Sequence, residues 1–279
     1  MTKIGFLGPR GTFSHEALEA YIKDNKSGYA VCEYSAFPDI LQAVQNGELD
    51  EGIVPIENSL EGAVNATLDT LAFDVDLMIK AELVIAVKAN ILVRKGTGLP
   101  DIKCILSHPQ PLGQCRKYLS ANFPNVPVKS VYSTAGAAEE VAAGGGDCAA
   151  IGSAASAEVY GLEILARNIQ DRYNNFTRFV VVSHQNGIRS GQDKTSIVFS
   201  TEDKPGSLYR VLDIFNLWDI NMSRIESRPS KDQLGRYIFF IDIKGHMEDQ
   251  DLKDAITMIK RKTSFFKFLG SYPEYAIDG

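Results

Sequence analysis

The sequence has no apolar run long enough to cross a bilayer, no export signal at its start, no basic excess and no paired-cysteine motif. Each absence closes off a class of function. Met1-Thr2-Lys3-Ile4-Gly5-Phe6-Leu7 runs directly into a short strand-like segment. It lacks a signal peptide's longer apolar region and small-residue cleavage site, so a cytoplasmic protein with no membrane partner is expected. A formal net charge of −6 offers no basic face to neutralise phosphates, which argues against nucleic acid as a partner while leaving room for a local anion site. Cys32, Cys104, Cys115 and Cys148 include no C-x-x-C pair and imply no disulfide framework in so long a chain, so they are expected to be reduced, buried thiols. His15, His108, His184 and His246 form no H-x-x-x-H and flank no cysteine pair, which leaves a metal site without support.

What is present is an ordinary globular composition, 44% hydrophobic and 23% charged, spread over 279 residues. That length exceeds what one core usually organises, so two or more domains are expected. The first segment alternates short strand-like runs with helical patterns: Ile4 to Leu7, Ser14 to Ile22, Ala30 to Tyr34, Pro38 to Val44 and Ile53 to Ile56. A β-rich passage from Leu77 to Val93 reads as strands crossing into a second βα lobe, built from Cys104 to Leu106, a helix around Leu112 to Leu119, Val128 to Val131, a helix from Thr134 to Ala143, and Ala149 to Ile151. Two such lobes joined by crossing strands leave a cleft between them. After a polar linker, residues 185–194, the pattern becomes a compact βαββαβ unit of ferredoxin-like type. Its first helix carries Leu208, Val211, Leu212 and Phe215 on one face, and its second Leu252, Ala255, Ile256 and Ile259.

The strand-to-helix turns hold the candidate chemistry, because ligands of open α/β sheets bind beyond the carboxyl ends of the strands. Thr12 and Ser14 lie in Gly8-Pro9-Arg10-Gly11-Thr12-Phe13-Ser14, and Glu57, Asn58 and Ser59 in the turn after Ile53-Val54. Ser107, His108 and Gln110 follow a strand of the second lobe, and Gly152-Ser153-Ala154-Ala155-Ser156 follows another. Small polar residues at helix starts cap the helix or, where N–H groups stay open, receive a carboxylate or phosphate. The first loop has neither dinucleotide nor P-loop glycine spacing, so no nucleotide is indicated. Asn174-Asn175-Phe176-Thr177-Arg178-Phe179 adds a hydroxyl, a guanidinium fork and neutral amides between aromatic rings. Taken alone, those six residues read better as the polar edge of a core strand, Phe179 to Val182. Set beside four polar turns, they read as an edge of the cleft where the chain crosses back between lobes.

These pieces, together with Gly62, Gln114-Cys115 and the later Glu226-Ser227-Arg228-Pro229, make the chain strongly resemble the prephenate dehydratase family over essentially its whole length. Two departures are visible: Pro111 stands where relatives usually carry alanine, and Gly206-Ser207-Leu208 stands where they commonly carry Gly-Ala-Leu. A proline is tolerated in the first helical turn, where its missing N–H would have no intrahelical partner. The resemblance implies an α/β, bilobal catalytic domain similar to periplasmic binding proteins over residues 1–184, with one lobe formed by 1–76 and 168–184 and the other by 77–167. An ACT regulatory domain over residues 195–279 would follow, in what looks like the monofunctional form. It implies conversion of prephenate to phenylpyruvate without metal or organic cofactor. Thr177 would act on the leaving hydroxyl, Glu57 is the rival acid, and Arg178 would anchor a carboxylate. Thr12, Ser14, Asn58, Ser59, Ser107, His108, Gln110, Asn175 and Phe179 would surround the substrate. Phenylalanine would bind Gly206, Ser207, Leu208 and Glu226 to Pro229 as effector, at a contact within a homodimer or homotetramer. Two alternatives stay open: arogenate dehydratase, and a non-catalytic amino-acid-sensing protein.

Overall fold

A computed structural model describes residues 1–24, 28–231 and 235–275. Residues 276–279, the end of the expected ACT range, lie outside the described residues. The chain opens with β1 (Thr2–Leu7), α1 (Phe13–Asp24), β2 (Tyr29–Tyr34), α2 (Phe37–Gln45), β3 (Glu51–Asn58), the two-residue β4 (Gly62–Ala63), α3 (Asn65–Phe73) and β5 (Met78–Ala86). Then come β6 (Asn90–Val93), β7 (Cys104–Ser107), α4 (Pro109–Gln114), α5 (Arg116–Asn122), β8 (Val128–Ser130), α6 (Thr134–Ala143), β9 (Cys148–Gly152), α7 (Ala154–Tyr160), β10 (Glu163–Ala166) and β11 (Phe176–Ser183). The last part holds β12 (Asp193–Ser200), α8 (Ser207–Leu217), β13 (Met222–Pro229), β14 (Tyr237–Lys244), α9 (Gln250–Lys262) and β15 (Phe265–Pro273).

The strands form three sheets. One runs in the order β2-β1-β3-β11-β5 with β4 against β3, the second β10-β6-β9-β7-β8, and the third β13-β14-β12-β15. Pairing is parallel between β1 and β2 and among β7, β8 and β9, as βαβ connections require. In the third sheet β12 pairs antiparallel with β14 and β15, and β13 with β14, which is the expected ferredoxin-like order. By internal packing the chain divides into two compact units, Met1–Ile40 with Ile53–Gly62 and Val84–Phe179, and Leu41–Gly52 with Ala63–Leu83 and Val180–Gly279.

The apolar spacing in the last third of the sequence transfers directly to packing. Leu252, Ala255, Ile256 and Ile259 of α9 are all buried with Val211 and Phe215 of α8 against Ile197, Phe199, Ile241 and Ile243 of the third sheet. Each fully buried Leu or Ile side chain contributes about 1.5–3 kcal/mol of transfer free energy, so this shared face holds the two helices down. Lys260, Arg261 and Lys262 close α9, where cations complement the helix dipole.

Three expectations change. The passage from Leu77 to Val93 is two strands of different sheets, β5 in the first and β6 in the second, so the sheets change between Ala86 and Asn90 rather than at residue 76. The helix expected around Leu112 to Leu119 is two short helices meeting at Cys115. Cys104 and Cys148 are joined by a disulfide, so they are not the reduced thiols expected from their spacing. They face each other at the starts of the parallel strands β7 and β9, 44 residues apart in sequence, and only the strand register brings them together. Cys32 is half-buried and Cys115 buried, both free. Burial, helped by the Asp171 carboxylate, pushes the Cys115 thiol up to about 12. Alkylation of the denatured protein without reductant is therefore expected to tag two thiols, Cys32 and Cys115, and to tag all four after reduction. Four tagged thiols before reduction would contradict the bond.

Candidate active site

β3 is buried from Glu51 through Ile56 and opens at Glu57 and Asn58, so its carboxyl end is where polar side chains become available. The loop that follows binds the start of β11. Ser59 Oγ donates to the Asn174 carbonyl at 2.7 Å and accepts from Phe176 N–H at 2.9 Å, and Ser59 N–H donates to the Phe176 carbonyl at 2.9 Å. Two stretches separated by more than a hundred residues thus become one site.

Asn58 lies at its centre. Its Oδ1 accepts from Leu60 N–H and Glu61 N–H, each at 2.9 Å, and its Nδ2 donates to Asn175 Oδ1 and to Thr177 Oγ1, each at 2.8 Å. Asn175, 3% exposed, passes the chain on: its Nδ2 donates to Gln114 Oε1 at 3.1 Å, and Gln114 Nε2 donates to Glu61 Oε1 at 3.2 Å. Leu60, Glu61, Gln114 and Asn175, with Gly113, Gln170, Asp171 and Arg172, line a cavity of about 220 Å³. Gln114, Gln170 and Arg172 were not singled out for chemistry. The available signal was the Gln-Cys pair after Ser107-His108-Pro109-Gln110 and the position of Arg172 two residues before Asn174.

The segment expected as an edge of the cleft is itself strand from Phe176 onward. β11 begins at Phe176, so Thr177 and Arg178 are consecutive strand residues whose side chains leave opposite faces of the sheet. Glu57 and Asn58 alternate in the same way at the end of β3. Asn58 and Thr177 share one face through their hydrogen bond, which sends Glu57 and Arg178 to the other. Thr177 and Arg178 are therefore not brought together as donor and anchor. Phe179, 2% exposed, is core.

The remaining turns are mostly closed on themselves. Ser107 is 0% exposed, and its Oγ donates to the Ile151 carbonyl, tying β7 to β9. Ser153 Oγ caps α7 by accepting from Ser156 N–H, and Ser153 and Ser156 both donate to the Gly11 carbonyl. Gly11 has φ +88°, and a Cβ there would lie 3.0 Å from Ser156 Cα, so this approach requires glycine. Glu16 accepts from Ala155 N–H, and burial, partly opposed by that bond, raises its carboxyl above the ordinary range. Thr12 Oγ1 donates to the Leu7 carbonyl and accepts from His15 N–H, and Ser14 is buried. Burial lowers the His15 imidazole, which accepts at Nδ1 from Gly11 N–H. His108 Nδ1 caps α4 by accepting from Gln110 N–H. Asn58 and Ser59 are not caps of α3, which starts at Asn65 after Val64 with no side-chain cap.

In the third sheet's domain, Gly206, at φ +77°, precedes Ser207 and Leu208 at the start of α8. These three line a cavity of about 410 Å³ with Thr201, Lys204, Tyr237 and Phe239. Glu226, Ser227, Arg228 and Pro229, expected to hold the effector with them, instead lie inside β13 at the sheet edge, outside that cavity's lining. Arg228 instead grips Asp69 of α3 with Nε at 3.2 Å and Nη2 at 2.9 Å, and Lys231 Nζ meets the same carboxylate at 2.9 Å. Burial pushes the Asp69 carboxyl up, but hydrogen bonds from Arg228 and Lys231 outweigh it and hold the group below its ordinary 3.8. A depressed folded value means that the stabilisation is complete above the unfolded value and disappears as pH falls through the folded one. Asp69→Asn is expected to lower the urea midpoint at pH 7, by roughly 1–3 kcal/mol of stability. That gap should narrow as the pH falls from above 3.8 through the depressed folded value, and a gap that stays equal across this range would contradict the assignment.

Among the described residues no group of three or more His, Cys, Asp or Glu side chains is placed to hold a metal ion, and no helix is long and apolar enough to cross a membrane. An α/β catalytic unit with amides and a hydroxyl gathered at strand ends, followed by a small βαββαβ domain, defines an enzyme carrying its own small-molecule sensor. Residues 4–187 match the family model described as prephenate dehydratase, and residues 195–257 match that of the ACT domain. The bifunctional chorismate mutase/prephenate dehydratase of Aquifex aeolicus is 40% identical over 272 residues, 98% of this chain and 74% of that protein. The prephenate dehydratase of Mycolicibacterium vanbaalenii is 36% identical over 286 residues, 98% and 91% of the two chains. The crystal structure of prephenate dehydratase in complex with L-Phe from Arthrobacter aurescens matches with a TM-score of 0.87 at 36% identity, over 99% of this chain and 93% of that one. The chain belongs to the prephenate dehydratase family.

Proposed function

We propose that the chain converts prephenate to phenylpyruvate, with the Thr177 hydroxyl as hydrogen-bond donor to the departing oxygen. The bond from the substrate's ring carbon to its carboxylate breaks and releases carbon dioxide. Its electron pair enters the ring, and the opposite C–O bond breaks with its pair on oxygen, which leaves as water after gaining a proton. Aromatisation drives the step, so the protein's task is alignment and stabilisation of charge on the leaving oxygen. A threonine hydroxyl is too weak an acid to surrender its proton outright. It acts as a preorganised donor or relays a proton from water. The observation that supports this reading is the Asn58 Nδ2 to Thr177 Oγ1 bond at 2.8 Å, because Asn58 also bonds Asn175, and Asn175 and its partner Gln114 line the 220 Å³ cavity. Gln114 and Arg172 of that lining are suited to a substrate carboxylate. Thr12, Ser14, Ser107 and Phe179 act as scaffold, His108 and Gln110 shape the start of α4, and Ser59 and Asn175 border the site. Ultraviolet detection of phenylpyruvate from prephenate, run beside phenylalanine formation from arogenate, tests the substrate. Turnover of arogenate alone would overturn the prephenate assignment.

Phenylalanine is the effector in this reading, held at the start of α8 by Gly206, Ser207 and Leu208 and by the rings of Tyr237 and Phe239. The relative solved with L-Phe supports it. Effector binding shifts the enzyme between two states of a cytoplasmic homodimer or homotetramer joined through the ACT domain. Titration calorimetry with phenylalanine is expected to give saturable heat, and none at saturating ligand would remove the sensor role.

A further inference from the structure

We infer that Asn58 is a positioning residue that sets the direction of the Thr177 proton. This rests on the reading of Thr177 as donor. A primary amide has two acceptor positions on oxygen and two donor hydrogens on nitrogen, and in Asn58 all four are used. The backbone N–H groups of Leu60 and Glu61 can only donate, so they fix which end of the amide is oxygen. The NH₂ must then face Asn175 and Thr177. A hydroxyl that accepts from an amide cannot send its own proton along the same line, so the Thr177 hydrogen is directed to another acceptor. Asn175, Gln114 and Glu61 extend the lock: each amide's oxygen accepts from one neighbour and its nitrogen donates to the next, ending on a carboxylate that only accepts when ionised. An asparagine with all four positions engaged has no remaining capacity for substrate, which moves Asn58 from substrate binding to orientation of the donor.

The test is Asn58→Asp in the full-length enzyme. The new carboxylate keeps the shape and still accepts from Leu60 and Glu61, but it replaces a donor facing Thr177 with an acceptor that captures the hydroxyl proton. At pH 7.5 kcat is expected to fall about 100-fold, the size seen on losing one preorganised donor, with KM for prephenate changed less than about threefold. Lowering the pH toward about 4 protonates the new group, whose O–H again donates, so the variant's kcat relative to wild type is expected to rise as pH falls. Asn58→Ala removes the amide without supplying a competing acceptor, and its loss is expected to be smaller, about 10-fold. A merely structural asparagine would give the opposite order, because the Asp variant keeps the turn and the Ala variant loses it. Circular dichroism reports whether each variant folds, and the two variants carry the test independently. In a Thr177→Ala background, Asn58→Asp is expected to cost no further activity.

Wild-type kcat in Asn58→Asp, or an equal loss with and without Thr177, would overturn the inference. If Thr177→Ala itself keeps wild-type kcat, the donor reading fails. If Thr177→Ala is inactive while Asn58→Asp is not, only the positioning role fails.

Discussion

Thr177→Ala is expected to lower kcat for prephenate by about 100- to 1,000-fold while KM changes little. Removing one preorganised donor to developing negative charge costs about 2.7–4 kcal/mol of transition-state stabilisation, and the ground-state oxygen, being neutral, loses far less. Thr177→Ser is expected to recover most of the rate, because Asn58 Nδ2 finds the same acceptor oxygen. The fold should tolerate both changes, since Thr177 lies at the open end of β11 while Phe179 to Val182 form the buried stretch of that strand. Steady-state kinetics with circular dichroism on each variant separates the outcomes. A raised KM with unchanged kcat for Thr177→Ala would mean that the hydroxyl binds substrate rather than the departing group.

The second large effect is on stability. Lys194 at the start of β12 and Glu82 of β5 form an ion pair at 2.7 Å, with side chains 8% and 2% exposed. Tyr275 N–H also donates to Glu82 at 3.1 Å. Lys194 also meets Glu274 at a longer 3.9 Å, so removing Glu82 or Lys194 leaves a buried charge with weaker partners, which costs up to about 3–5 kcal/mol. Glu82→Ala or Lys194→Ala is thus expected to lower the thermal midpoint strongly, whereas the double change Glu82→Met with Lys194→Met is expected to cost much less. The backbones nearby leave no slack: a Cβ on Gly270 would sit 2.3 Å from the Ile79 carbonyl oxygen. Differential scanning of the three variants decides the point. Single variants as stable as wild type would show that the pair is not desolvated in solution.

Much of this was legible in the sequence, for reasons particular residues make plain. The βαββαβ domain was readable because Leu252, Ala255, Ile256 and Ile259 follow helical spacing and bury one face. The ordered motifs around Glu57-Asn58-Ser59 and Asn175 to Phe179 identified the family, and the structure does join those two stretches. Which side chains meet there was not legible. The Asn58 to Thr177 bond spans 119 residues, and no local pattern encodes such a pairing. Burial was equally hidden, since Ser107 and Ser153 look like ligands in sequence but complete hydrogen bonds inside the fold. The disulfide escaped for the same reason as the site: strand register, not spacing, made Cys104 and Cys148 neighbours. The separation of Thr177 from Arg178 was within reach, because two-residue alternation follows once β11 is started at Phe176 rather than Phe179.

Glu57 supplies the most direct test of the central claim, because it is the other candidate acid and leaves the opposite face of the sheet from Asn58. The measurement is the rate of phenylpyruvate formation at saturating prephenate for Glu57→Gln and Thr177→Ala, side by side with the wild-type enzyme. The account predicts that Thr177→Ala loses at least 100-fold, while Glu57→Gln stays within about tenfold of wild type. Wild-type turnover in Thr177→Ala, together with collapse of activity in Glu57→Gln, would contradict it.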